Sequence, residues 1–442
     1  MKLSFEDARH LLARTGFGGS PTEIDRVATM DREVAVDYLF EGITERAVTS
    51  PPQEVLSAMP PPQGMKGMTD EQKKTFRQER NDEALALKGW WYQELLSTPS
   101  PLTERMTLFW HDHFTSGYKK VKWPALLYRQ NLLLRRNALG SFRDLLFEIA
   151  KDSAMMLYLD TQTNRKDHPN ENFARELFEL FTLGEGQYTE QDIKEAARAF
   201  TGWHVAVRHG GEFVFHQHQH DSGVKRVLGR VGAFGGDDIL SIILDQPGCA
   251  RHITTRLWLE FISDQPDSHE VERLAVLFRA NDYHMRPLLR ALLVSPQSWA
   301  PESRGVLVKS PVELLVGTGR LFQWPIQETE VLVKYGRRLG QDLFDPPNVK
   351  GWPGGTRWIT STTILARWQL LQRSLRGAES GMHQPQGAGI SMAHGLAWVA
   401  QDSLDRVQAV LTALPPVTPI RDVSDRWQAV QQLVMDPVYQ LK

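Results

Sequence analysis

Apolar positions along the chain recur mostly at helical spacing, and period-two alternation is rare. Residues 4–16 read as a first helix that carries Ala8, Leu11 and Leu12 and is ended by the Gly16–Gly19 run. Ser20 caps the next helix, with Pro21 at its first position. The stretch 50–67, rich in Pro and Gly, is predicted as a surface loop followed by a charged helix. Ser100-Pro101 opens another helix, on which Leu102, Met106, Phe109, Trp110 and Phe114 keep helical spacing. Further helices are predicted over 123–138, 141–150, 171–183, 190–200, 237–245, 249–263, 267–280, 286–294, 310–322 and 328–339. Residues 203–220 are the exception. Trp203 to Arg208, a Gly210-Gly211 turn and Glu212 to His220 read as a β-hairpin. The expected architecture is all-α: one large multi-helix domain over 1–375 with this small inserted hairpin, a Gly/Ser/Gln-rich linker over 376–395, and a helical C-terminal tail over 396–442.

Composition narrows the class. At 442 residues, 41% hydrophobic and 24% charged, the chain can bury a core of ordinary size. A formal net charge of -2 leaves no global basic field, so no nucleic-acid partner is expected. The lone Cys249 excludes an intrachain disulfide and a Cys-rich metal site. No stretch approaches the roughly 18 uncharged apolar residues of a membrane span. Residues 1–7 lack the basic-then-apolar pattern of a signal peptide, so the cytoplasm is the default compartment. Thirteen tryptophans point to a large aromatic core, or to flat faces on which sugar rings stack.

Four polar constellations stand out. In Trp110-His111-Asp112-His113-Phe114, His113 falls on the apolar face of the helix and His111 on the other. One reading is a buried and an exposed structural His. The other is a His-Asp pair at a pocket floor, with Asp112 fixing a tautomer or moving a proton. In Asn170–Gly184, Asn170 reads as an N-cap and Gly184 as the residue that ends the helix. Glu171, Arg175 and Glu179 form an ion-paired stripe, while Glu176 falls inside the apolar arc. A carboxylate there either pairs with an arginine from another helix or has a raised pKa suited to acid/base work. His216, His218 and His220 would share one face of a strand, a spacing that would hold a divalent metal; a solvated His/Gln edge looks the same. Lys225 follows, placed to hold an anion. Finally, residues 343–361 form an irregular loop with Trp352 and Trp358, which either wall a pocket or pin the loop. Phosphate-binding Gly loops, Gly-x-Gly-x-x-Gly, His-Glu-x-x-His and Gly-x-Ser-x-Gly are all missing from the sequence.

The run Ala8-Arg9-His10-Leu11-Leu12-Ala13-Arg14-Thr15-Gly16-Phe17-Gly18, the Trp110–Phe114 block, Pro169–Gly184, Ala197–Trp203, His220-Asp221, Lys309-Ser310-Pro311-Val312-Glu313 and Pro346–Trp358 together resemble the bacterial domain of unknown function 1800 family, over the chain to about residue 375. The resemblance brings no mechanism. It does imply a partner: genes of this family often stand beside those of a sulfatase-like family, domain of unknown function 1501, whose members often bear twin-arginine export signals. Co-export while bound to such a protein is the corresponding expectation.

The leading functional expectation is a hydrolase or transferase that uses carboxylate/His chemistry on a polar, glycan-like substrate. Glu176 would be its acid or base, with His111, Asp112 and His113 as second partner. Arg175, Asn170, Glu171 and Lys225 would bind polar or anionic groups, and Trp352 and Trp358 would shape the pocket. The alternatives are a metal-binding protein built on His216, His218 and His220, and a non-catalytic partner of the sulfatase-like protein.

Overall fold

A computed structural model describes every residue except 1, 58–66, 208, 325–328, 380–396 and 421–425. The expected linker falls largely on 380–396, outside the described residues. The chain is predominantly helical, and most helix starts are chemically marked. Ser4 with Asp7, Ser20 with Glu23, Thr69 with Gln72, Thr189 with Asp192 and Ser310 with Glu313 form reciprocal capping boxes, each satisfying otherwise orphaned N–H groups. Ser100 departs from expectation. Its hydroxyl meets the Thr103 hydroxyl at 2.7 Å and caps no backbone N–H.

The expected hairpin is present as Trp203–Ala206 paired antiparallel with Glu212–Phe215. A second hairpin, Lys225–Val227 with Arg230–Gly232, was not anticipated. Its strands are too short for alternation to register. Its turn places Leu228 at φ 48, a left-handed conformation, with its N–H held by Asp192 Oδ1 at 2.7 Å.

Two apolar clusters make up the interior. One gathers Trp110, Phe114, Phe142, Phe178, Phe181 and Trp258. The other gathers Trp91, Tyr92, Leu315, Phe344, Leu370 and Leu433. The Pro101–His113 helix lies at their seam: Met106, Phe109 and Trp110 belong to the first and Leu108 to the second. It is therefore buried nearly all round, Glu104 and Arg105 included.

The C-terminal residues are not a detached tail. Val430, Leu433, Val434 and Tyr439 pack in the second cluster. The Lys309 N–H donates to Gln440 O at 2.8 Å and the Lys442 N–H to Leu307 O at 2.9 Å, so the last residues pair with the approach to the Pro311–Leu321 helix. No described helix is long and apolar enough to cross a membrane.

Candidate functional site

The Pro101–His113 helix ends where the irregular 346–358 loop folds over it. Asp112, in the last turn, receives the Trp352 backbone N–H on Oδ1 at 2.7 Å. The approach is close enough to exclude a side chain at the preceding residue. Gly351 sits at φ 78, and a Cβ there would lie 2.3 Å from Asp112 Oδ1. The second carboxylate oxygen faces Arg256 Nη2 at 3.3 Å. Arg256 belongs to the Pro247–Phe261 helix, and one turn on the same helix presents Glu260. Glu260 pairs with Arg105 Nη2 at 2.5 Å, and Arg105 Nη1 pairs with Glu313 at 2.6 Å. Glu313 closes the series by pairing with Lys442. Its other oxygen accepts the Ser310 N–H at 2.7 Å, so one carboxylate caps a helix and anchors two cations. These groups line a cleft of about 830 Å³, with Trp352 and Trp358 among its walls.

Burial pushes the Asp112 carboxyl up to about 6, and the Glu260 charge acts in the same direction, against the opposing pull of Arg256 and the Trp352 N–H. Its side chain is 27% exposed, so the carboxyl is desolvated and still reachable from the cleft. The two histidines beside it have other work. His111 does not line the cleft. Its Nε2 accepts the Phe344 N–H at 3.2 Å inside a cage of Trp91, Phe344 and Trp352 rings, and burial lowers its pKa to about 3. A neutral ring that accepts through Nε2 carries its proton on Nδ1. His113 reaches the cleft wall, but its Nε2 donates to Phe181 O at 3.0 Å and burial holds it well below the usual range. His252 does the same for Leu180 O at 2.9 Å.

Those carbonyls need partners because they stand in the last turn, where the Leu183 and Gly184 N–H groups both go to Phe178 O; Leu177–Thr182 is a π-turn and not the continuous α-helix expected over 171–183. The α-helical part is only Asn172–Glu176. Glu176 does not line the cleft. It lies half-buried near Glu179, Lys350 and Tyr158, and burial followed by the Glu179 charge raises its pKa. The paired-arginine reading of Glu176 fails, since it makes no hydrogen bond or ion pair among the described residues. Arg175 pairs with Glu171 and Glu190, so both Arg175 and Glu171 are engaged away from the cleft. Asn170 is not the helix cap. It braces the preceding loop through Thr163 Oγ1 and receives the Asn172 N–H.

Two other expectations are corrected. The strand ends at Phe215, and Gln217–Gln219 is a single 3₁₀ turn, so His216, His218 and His220 do not alternate along one strand face. His220 Nδ1 instead bonds Thr201 O at 2.9 Å. Among the described residues no group of three or more His, Cys, Asp or Glu is arranged to hold a metal ion. Lys225 is buried and spends its ammonium on Asp221 O and Gly223 O at 2.5 and 3.0 Å, closing a turn.

The fold thus brings together Asp112, His113, Trp352 and Trp358 from the sequence-derived set. Sequence reasoning missed Arg105, Arg256, Glu260, Glu313, His252 and Lys442. One signal was available: His252, Arg256 and Glu260 stand four apart on one helix and form a polar stripe.

The family model described as protein of unknown function (DUF1800) matches residues 10–441, and the chain belongs to that family. The match runs past residue 375, the limit of the resemblance read from the sequence, and takes in the C-terminal helices as well. No curated protein and no solved structure matches the chain.

Proposed function

We propose that the cleft is the active site of a hydrolase or transferase acting on a polar, glycan-like substrate, with Asp112 in place of Glu176 as the group that moves the proton. The observation that carries this reading is a carboxyl pushed up to about 6, held by one backbone N–H and one guanidinium, and open to a cleft. A proton carrier works best when its pKa lies near the working pH, because it can then both hold and release the proton. Glu260 supplies a second carboxylate in the same cleft, kept in place by Arg105. Pairs of carboxylates, one protonated and one ionised, are the usual equipment for cleaving glycosidic bonds. The volume of about 830 Å³ suits a ligand of a few rings, and Trp352 and Trp358 offer faces for sugar stacking.

The experiment is a turnover screen of soluble polysaccharides and aryl glycosides, with pH–rate profiles for wild type and Asp112→Asn. The expected result is activity on at least one glycan, with a limb near pH 6 that disappears in the variant. Full activity in Asp112→Asn, or no binding and no turnover across the panel, defeats the reading. The metal reading is not carried forward, because the strand spacing it rested on is not how the fold arranges those histidines.

A further inference from the structure

The Glu313–Lys442 pair has a second side. Behind it lies another cavity, of about 770 Å³, lined by Arg9, Lys309, Glu313, Lys442 and the Phe17–Ser20 loop. Two motifs, Ala8–Gly18 and Lys309–Glu313, meet here, and of their residues the cleft uses only Ser310 and Glu313.

The charges in this place do not balance locally. Arg9 is 6% exposed and makes no hydrogen bond or ion pair among the described residues, although a guanidinium offers five N–H donors. Lys309 donates to Tyr439 O at 2.7 Å and sits over that ring at 4.2 Å, which leaves two of its N–H groups free for other acceptors. Arg14 gives one nitrogen to Ser303 O, while its Nε and Nη1 are buried without partners. Arg367 bonds Lys309 O and Gln440, and its Nε is likewise orphaned. Against Arg9, Arg14, Lys309, Arg320, Arg367, Lys442 and Arg105, the acting carboxylates are Glu313 and Glu260, with Glu23 at the cavity rim acting on Arg320 and Glu6 reaching Arg9 from the exposed face. Burial, followed by the Arg9 charge, lowers Lys309 to about 7, and burial, followed by the Arg304 charge, lowers Arg9 to about 10. Buried donors without partners are costly, which applies to Arg14 and Arg367; Arg9 has no such sealed atom and lines the cavity itself.

We propose that this cavity binds a tetrahedral oxyanion, phosphate or sulfate, carried on an apolar organic body, with Arg9 and Lys309 as its ligands. Arg9 supplies a planar pair of donors that matches two oxygens of such a group, and Lys309 supplies a point charge. The helix that begins at Pro21 does not supply the site. Its capping box already spends the Ser20 and Glu23 N–H groups, Pro21 has none, and the Glu23 carboxylate stands at that helix end, so the side chains do the binding. Phe17, Leu96, Trp324 and Leu411 form an apolar wall in the same space, which is far larger than a bare ion needs.

The test is calorimetry and thermal unfolding of the full chain with inorganic phosphate, sulfate, 4-nitrophenyl phosphate and 4-nitrophenyl sulfate, against chloride at matched ionic strength. The aryl esters are expected to bind with Kd below about 1 mM and more tightly than the bare ions. Arg9→Gln and Lys309→Gln are each expected to weaken binding about tenfold or more. Arg9→Gln without ligand keeps or raises the melting temperature, because it removes a charge that has no partner. Asp112→Asn still binds the esters, in contrast to the Arg9 and Lys309 variants, which separates this site from the proposed catalytic one. The proposal is overturned by binding no stronger than the chloride baseline, by unchanged binding in both variants, or by a fall in the ligand-free melting temperature of Arg9→Gln, which would make Arg9 a structural residue.

Discussion

Glu104 and Asp112 stand two turns apart on one helix, and both are carboxylates taken largely out of water. Their surroundings differ in completeness. Glu104 is 1% exposed and receives Arg135 Nε at 2.5 Å, Arg135 Nη2 at 3.0 Å and Trp91 Nε1 at 2.9 Å, so its oxygens are satisfied and sealed. Asp112 has one firm backbone donor, one long contact to a guanidinium, and an open side. Burial of a carboxylate therefore says little by itself about chemistry. What separates a strut from a reactive group is whether the hydrogen bonds are complete and whether another molecule can reach the oxygen.

The sharpest way to break this comparison is to cut the strut. Glu104→Ala leaves Arg135 buried and uncompensated and is expected to cost about 3–5 kcal/mol in urea unfolding. The equivalent cut at the reactive group is expected to spare stability. Asp112 has a folded pKa of about 6, above the roughly 3.9 of an unfolded aspartate. The folded state holds that proton more tightly, so this group's contribution is fully favourable below about pH 4 and is lost as pH rises to about 6. Asparagine does not ionise and escapes that loss. Asp112→Asn should therefore melt at or above the wild-type temperature at pH 8, while turnover on the glycan found in the screen falls roughly 10²–10⁴-fold. Gly351→Ala attacks the same carboxyl indirectly, by steric conflict and a left-handed backbone. It is expected to lose about 1–3 kcal/mol and to shift the low-pH limb of activity, read from paired unfolding and pH–rate curves. Glu176→Gln should change turnover and stability least, within about 0.5 kcal/mol; a large loss of turnover would return the proton to Glu176.

Sequence legibility follows the same division. Helix positions were readable because periodicity and capping boxes are local, as at Ser20–Glu23 and Thr189–Asp192. The π-turn at Leu177–Thr182 was not, since a slightly wider turn hardly disturbs an apolar arc. Asp112, Trp352 and Trp358 were readable as oddities of composition at a helix end and in a loop. Arg105, Glu313 and Lys442 were not, because a charged residue looks like surface until the distant partners that bury it are known. Lys225 shows the reverse error: a lysine after a turn suggested an anion, and the turn itself consumes the ammonium.

The wall between the two cavities has a thermodynamic consequence. Glu313 and Lys442 face both spaces, so a charge brought into one alters the potential felt in the other. Linkage then requires reciprocity: whatever factor an occupant of the Arg9 cavity imposes on affinity in the Asp112 cleft, an occupant of the cleft must impose in return, and a double titration measures that heterotropic free energy from either end.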